Sequence, residues 1–124
     1  MSFRLRWSPP AEQTYKQLQD AAERAANKRS ESKTKQSGGK NRTKSSKQEG
    51  LFKQVAKAIE RIEDDPRHPS LNTHEFTGLH HPFDPRGKVF EAYAQNNTPG
   101  AYRIFWCYGP DKRDITIIAI TPHP

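Results

Sequence analysis

Hydrophobic and polar residues alternate at the start of the chain and then change to a helical period. The segment FRLRW at residues 3–7 alternates apolar residues with arginines, which predicts a half-buried strand. From Pro9 to about Lys28, apolar residues recur at helical spacing with charged residues between them, and Ser8 is a suitable N-cap. This stretch therefore predicts an amphipathic helix.

A second helical period begins with LFKQVAKAIERIEDDP. Val55, Ile59 and Ile62 form one apolar stripe, and Pro66 ends the helix. Since the two predicted helices follow each other along the chain, we expect them to pack as an antiparallel hairpin.

The rest of the chain has the pattern of a loop followed by three strands. Residues 67–87 are rich in Pro, Gly, Asn and His and predict a loop. The segments KVFEAYAQ, AYRIFWCY and ITIIAITP then predict strands, separated by the turns NNTPG and GPDKRD. The compact arrangement is an α+β fold, with the helix hairpin on one face of a twisted antiparallel sheet and the other face free to bind a ligand.

The segment between the two helices differs from the rest of the chain in composition and charge. Residues 27–50 contain no aliphatic or aromatic side chain, so they cannot bury enough surface to offset the entropy of ordering. Residues 28–47 hold eight basic residues and one acidic residue, and their charge of +7 equals the net charge of the whole chain. We therefore predict a single domain, 1–124, in which 29–48 form a flexible basic insertion.

Composition also limits the class of protein and the kinds of site. No apolar stretch approaches the roughly 18 residues of a membrane span, and the N-terminus lacks the apolar core of a signal peptide. These features predict a cytoplasmic protein. Cys107 is the single cysteine, and the histidines at 68, 74, 80 and 81 lack helical i, i+4 spacing. We therefore expect neither a metal site nor a cofactor.

Three ionisable residues in the C-terminal half are candidates for chemistry. Arg103 lies in the middle of a predicted strand, so its charge must reach solvent, a ligand or a carboxylate such as Glu91. Glu91 is either a general base or an edge-strand charge. His123 follows the last strand between two prolines that stiffen the backbone, and it is either a fixed acid or base or a frayed terminal residue.

The segment AYRIFWCYGPDKRDITIIAITPHP resembles the RelE/ParE superfamily of bacterial type II toxins. Its Tyr-Arg-apolar-apolar strand, short turn, apolar strand and near-terminal histidine carry the resemblance. The Pro-rich segment DDPRHPSLNTHEFTGL and the predicted order of elements agree with it, whereas residues 27–50 replace a short turn. The resemblance implies a RelE/ParE-like fold and a cognate antitoxin as partner.

The resemblance leaves the activity open, since the fold supports mRNA cleavage in some members and gyrase poisoning in others. The first of these is mRNA endonuclease activity, in some members dependent on the ribosome, in which the 2′-hydroxyl attacks the adjacent phosphate without a metal. By resemblance, Arg103 would then hold the scissile phosphate and His123 would act as acid or base. Glu91, as a possible general base, is the third catalytic candidate. The alternatives are a toxin that poisons DNA gyrase without catalysis, and an inactive member that binds nucleic acid through the basic insertion.

Binding of RNA needs further cations and a surface for stacking. The candidates are Arg86 and Lys88 around the start of the segment KVFEAYAQ, Lys112 and Arg113 in the last turn, and Tyr108 beside that turn. The alternative is that the charged residues are solvated loop charges and that Tyr108 belongs to the core or the sheet surface.

Overall fold

The computed structural model describes residues 3–35, 47–95 and 101–122, with the side chains of 29–35 outside the description. Its helices and strands follow in an α+β order, joined by a short 3-10 turn at Pro69–Leu71. The elements are β1 (Arg4–Trp7), α1 (Pro9–Lys35), α2 (Lys47–Asp64), β2 (His74–Phe76), β3 (Val89–Tyr93), β4 (Tyr102–Tyr108) and β5 (Asp114–Pro122). The predicted fold class is confirmed.

The described strands form one sheet in the order β1-β5-β4-β3-β2. From β2 to β5 the neighbours are antiparallel, but β1 pairs with β5 in parallel. The expectation of a wholly antiparallel sheet is therefore wrong. The two helices lie between β1 and the other strands of the sheet, and β1 runs in the same direction as β5. In addition, the segment predicted as a loop contains the short edge strand β2.

The first helix is longer than its apolar pattern predicts. It continues to Lys35 instead of ending near Lys28, so the start of the basic segment is helical. Arg, Glu and Lys are good helix formers, and a helix can extend beyond its packed region without burying side chains. Residues 36–46 lie outside the described residues, so the flexible insertion stays a prediction.

The main core lies between the helix hairpin and one face of the sheet. Ala11 of α1 and the α2 stripe of Val55, Ile59 and Ile62 pack with Ile104, Trp106 and Ile117 of the central strands. The opposite face carries a smaller cluster, in which Leu79 packs against Val89, Phe105 and Cys107. The helix-free face is therefore partly covered, which corrects the expectation of a fully free face. No described helix has the length and apolar character needed to cross a membrane.

We expect Ile59→Ala to lower the free energy of unfolding by about 2–5 kcal/mol, because it leaves a cavity in the main core. Ile59 is 5% exposed and lies on the buried face of α2. Urea unfolding of both proteins measures the change, and Lys57→Ala on the exposed side of the same helix is the control. A loss below about 1 kcal/mol would mean that the α2 stripe is not tightly packed.

Candidate active site

Four side chains from three neighbouring strands form a cluster on the helix-free face of the sheet. In the antiparallel registers, His74 of β2 lies opposite Glu91 of β3, and Tyr93 of β3 lies opposite Arg103 of β4. Paired residues share a face, and positions two apart on a strand share it too. We call these four residues, His74, Glu91, Tyr93 and Arg103, the HERY cluster.

Glu91 connects the other charged members of the HERY cluster. Its Oε1 lies 2.6 Å from Nε2 of His74, and its Oε2 lies 3.9 Å from Nε of Arg103. The Arg103 guanidinium also stacks 3.9 Å from the centre of the Tyr93 ring, which is a cation–π geometry. The predicted candidates Arg103 and Glu91 are thus brought together.

Burial differs sharply within the cluster. Arg103 is 1% exposed and Glu91 is 5% exposed, whereas the His74 side chain is 47% exposed. Burying a charge is costly unless an opposite charge lies close to it. Here the buried Arg103 and Glu91 side chains carry opposite charges and lie 3.9 Å apart. Arg103 does not reach solvent in this structure. A direct contact with a phosphate would therefore require the residues that cover Arg103 to move.

The local backbone fixes the orientation of His74. The 3-10 turn ends at Asn72, which has a left-handed backbone (φ 48°). The Asn72 carbonyl accepts a hydrogen bond from Nδ1 of His74 at 3.0 Å. The other ring nitrogen, Nε2, lies 2.6 Å from the Glu91 carboxylate, so both ring nitrogens of His74 face oxygen acceptors. From the sequence, His74 was a candidate only for metal binding, because no pattern in the three-residue strand β2 indicates its pairing with Glu91.

The other predicted site residues do not join the cluster. Lys88 is exposed and forms an ion pair with Glu75 at 3.6 Å, and Arg86 lies in an exposed loop. Tyr108 is half-buried beside Trp106, with ring centres 5.0 Å apart. His123 lies outside the described residues.

Lys112 and Arg113 lie at the opposite end of β4 from Arg103. Both are exposed in the turn between β4 and β5. Six residues of extended chain separate Arg103 from the start of this turn, a distance of about 20 Å. The turn is therefore too far away to contribute to the same phosphate site.

A second charged group, not foreseen from the sequence, lies beside that turn. Asp114 is fully buried and accepts hydrogen bonds from Nε of Arg4 at 2.8 Å and from Nε of Arg6 at 2.7 Å. The Arg4 bond, with help from Arg6, holds the pKa of Asp114 below its usual value of 3.8, although burial acts in the opposite direction. The parallel pairing of β1 with β5 brings these residues together.

We expect this group to make the fold acid-sensitive. A carboxylate whose pKa is lower in the folded chain stabilises the fold above its unfolded pKa, and the stability is lost as pH falls through the folded value. Asp114→Asn should therefore melt at a lower temperature at pH 7 and lose less stability below about pH 4 than the wild type. Thermal melts at both pH values test this. Parallel pH profiles for the two proteins would refute it.

The described residues give no indication of a metal centre. Among them, no three His, Cys, Asp or Glu side chains are grouped as metal ligands would be. Cys107 is buried in the smaller core cluster, and desolvation raises the pKa of its thiol to about 11. We therefore assign Cys107 a packing role.

Comparisons with known proteins give matches in structure but not in sequence. No family model matches the chain, and no curated protein matches its sequence. A YoeB/ParE toxin from Agrobacterium tumefaciens is similar in structure, with a TM-score of 0.57 and 11% identity over 98% of this chain and 99% of that one.

Two further solved structures are also similar to this chain. A chain of the archaeal RelE–RelB complex from Pyrococcus horikoshii OT3 has a TM-score of 0.53 and 11% identity, over 98% of this chain and 96% of that one. The YoeB dimer from Staphylococcus aureus has a TM-score of 0.53 and 13% identity, with full coverage of both chains. The chain therefore has the fold of the RelE and YoeB/ParE proteins, as its sequence resemblance predicted.

Proposed function

We propose that this chain is the toxin of a type II toxin–antitoxin system and that it cleaves mRNA by attack of a 2′-hydroxyl on the adjacent phosphate. The fold supports the toxin class. The observation that carries the cleavage proposal is the cluster on the helix-free face of the sheet in which Glu91 contacts His74 at 2.6 Å and forms an ion pair with Arg103 at 3.9 Å. Buried ionisable groups in contact with an exposed histidine are typical of acid–base sites.

Glu91 is the proposed general base. It takes the proton from the 2′-hydroxyl as the O2′–P bond forms and the P–O5′ bond breaks. The products are a 2′,3′-cyclic phosphate and a free 5′-hydroxyl. His123 is the proposed acid that protonates the leaving 5′-oxygen. The reaction needs no metal, since these two groups account for both proton transfers.

His74 and Arg103 are proposed to position Glu91 from its two sides. The short bond from His74 fixes one carboxylate oxygen, and the Arg103 guanidinium balances the charge near the other. Arg103 in turn is held against the Tyr93 ring. A buried arginine in this position can also stabilise the phosphate charge at short range if RNA binding uncovers it.

The proposed partners are RNA, with or without a ribosome, and an antitoxin. Exposed cations can contact RNA phosphates without sequence preference. The predicted ones are Arg86, Lys88, Lys112 and Arg113. The similar Pyrococcus protein was solved as a RelE–RelB complex, which supports an antitoxin for this chain as well. We propose that the protein acts in the cytoplasm, where its mRNA substrate is translated.

One observation favours a second candidate function. Arg103 is 1% exposed and lies near a carboxylate, so it is less available to phosphate than a catalytic cation would be. This favours a toxin that acts by binding DNA gyrase without catalysis. The two candidates differ in their target, which makes them separable by experiment.

The test adds purified protein to a translation mixture and to the same mRNA without ribosomes, and maps new ends by primer extension. We expect new 5′ ends that form with the wild type and fade with Glu91→Gln. A supercoiling assay with purified gyrase runs in parallel. Intact mRNA together with gyrase-linked DNA breaks would reject the nuclease in favour of the second candidate.

A further inference from the structure

Arg4 and Arg6 form a pair at the β1 edge of the sheet, on the same face as the HERY cluster. Their side chains are 64% and 45% exposed, and the residues that alternate with them pack against the main core. In the strand registers, Arg6 lies opposite Thr116, and Thr116 lies opposite Cys107 on the helix-free face. Two strand spacings and four residues along β4 separate Arg6 from Arg103, a distance of roughly 16 Å. The pair has no role in the proposed chemistry.

Asp114 holds the two guanidiniums side by side. Its carboxylate oxygens each accept one hydrogen bond, one from Nε of Arg4 at 2.8 Å and one from Nε of Arg6 at 2.7 Å. Because Asp114 is fully buried, water does not compete for these bonds. The terminal nitrogens of both arginines form no hydrogen bond to any described residue, and one of those of Arg4 lies 3.7 Å from the exposed carboxylate of Asp111. These nitrogens are therefore available to a ligand.

A phosphate group fits two arginines that are held in this way. With Nε bonded to Asp114, each guanidinium still presents its two terminal nitrogens, which form a fork that matches two phosphate oxygens. The two arginines are two positions apart on one strand, roughly 7 Å, and both approach the same carboxylate, so one phosphate can reach both forks. Side chains that are already fixed lose less conformational freedom on binding.

The surrounding charges favour an anionic ligand. The Arg113 carbonyl accepts a hydrogen bond from the backbone N–H of Arg4 at 2.7 Å, so the turn before β5 lies beside the pair. Lys112 and Arg113 of this turn are exposed. Together with the pair they supply four cations against the carboxylates of Asp111 and Asp114, a net charge of +2. The turn therefore adds positive charge at this end of the face, although it is too far from the HERY cluster to act there.

We propose that Arg4 and Arg6 form a phosphate site that holds the RNA backbone away from the cut position. RNA is favoured as the ligand because the pair shares the face that carries the proposed active site. The inference therefore rests on the proposed function. Since every nucleotide carries the same phosphate, the site would orient the strand and add affinity without sequence preference.

Fluorescence anisotropy of a labelled single strand tests the site without cleavage. The probe is a short 2′-deoxy strand of thymidines, which lacks the proposed nucleophile but keeps the phosphates. We expect the double variant Arg4→Ala/Arg6→Ala to bind it about tenfold more weakly. The dependence of log affinity on log salt concentration should also become shallower by about 0.7, the value for one phosphate contact of a single strand. The charge-matched control Arg24→Ala/Lys28→Ala, on the exposed side of α1, should change neither quantity.

Asp114→Asn distinguishes a fixed phosphate site from a general excess of positive charge. If net charge alone mattered, loss of a carboxylate would tighten binding of the probe. The structure instead predicts weaker binding, because the two arginines lose the group that holds them in place. All variants are assayed at a temperature where melting curves show them to be folded, since Asp114 is buried and the double variant leaves it without its cations.

Three results would overturn the inference. One is an equal loss of affinity in the double variant and the α1 control, and another is tighter or unchanged binding by folded Asp114→Asn. The third is a double variant that binds the probe normally but the antitoxin more weakly, which would assign the pair to an acidic segment of that partner. Binding of the probe that depends on the pair, without cleavage of mRNA, would count against the proposed function and leave the phosphate site in place.

Discussion

Replacing Glu91 with glutamine is expected to slow mRNA cleavage by about 10²- to 10⁴-fold. The amide has nearly the same shape as the carboxylate but cannot take the 2′-hydroxyl proton. It also removes the negative charge between His74 and Arg103. Initial rates of formation of the mapped 5′ ends measure the effect.

Glu60→Gln, on the exposed face of α2, is the matched control and should cleave at the wild-type rate. Because Glu91 is buried, both variants must be assayed at a temperature where melting curves show them to be folded. A folded Glu91→Gln protein that keeps its activity would remove Glu91 from the proposed mechanism.

Arg103→Ala is expected to lower the free energy of unfolding by roughly 3–5 kcal/mol, because it leaves Glu91 buried without its cation. From the sequence alone, a mid-strand arginine is expected to supply no core volume, and Arg103→Ala should stay folded. The structure argues against that expectation, since Arg103 is among the largest fully buried side chains. The stability loss must therefore be separated from any loss of activity.

A double-mutant cycle with Glu91→Gln makes that separation. If the two side chains interact as their 3.9 Å separation indicates, the double variant should lose less stability than the two single variants together, by roughly 0.5–3 kcal/mol. Arg24→Ala should stay within about 0.5 kcal/mol of the wild type. Additive losses in the cycle would mean that Arg103 is stabilised by other contacts and does not position Glu91.

The elements with a clear hydrophobic period were predictable from the sequence. Both helices, β1 and the three C-terminal strands have enough residues for alternation or a helical stripe to appear, and they occur where the pattern indicates. β2 has three residues and shows no such pattern. The parallel pairing of β1 with β5 was also not predictable, since it joins residues about 110 positions apart and depends on how the helix pair returns the chain.

The candidate site was predictable only in part, for a related reason. Glu91 and Arg103 lie on strands that follow one another, so their pairing was one of the alternatives that the sequence offered. His74 joins them through β2, and Arg4 and Arg6 meet Asp114 through the parallel edge. Neither contact has a signal in composition or spacing. The burial of Arg103 depends on tertiary packing, which a single sequence does not encode in any local pattern.

The central claim is that the 2′-hydroxyl of RNA is the nucleophile, and one substitution in the substrate tests it directly. The mRNA is cleaved, the cut position is mapped, and the same RNA is made with a single 2′-deoxy nucleotide on the 5′ side of that position. We predict that cleavage there disappears while cuts at other positions continue. Equal cleavage of the 2′-deoxy substrate, or no cleavage of either RNA, would contradict the claim.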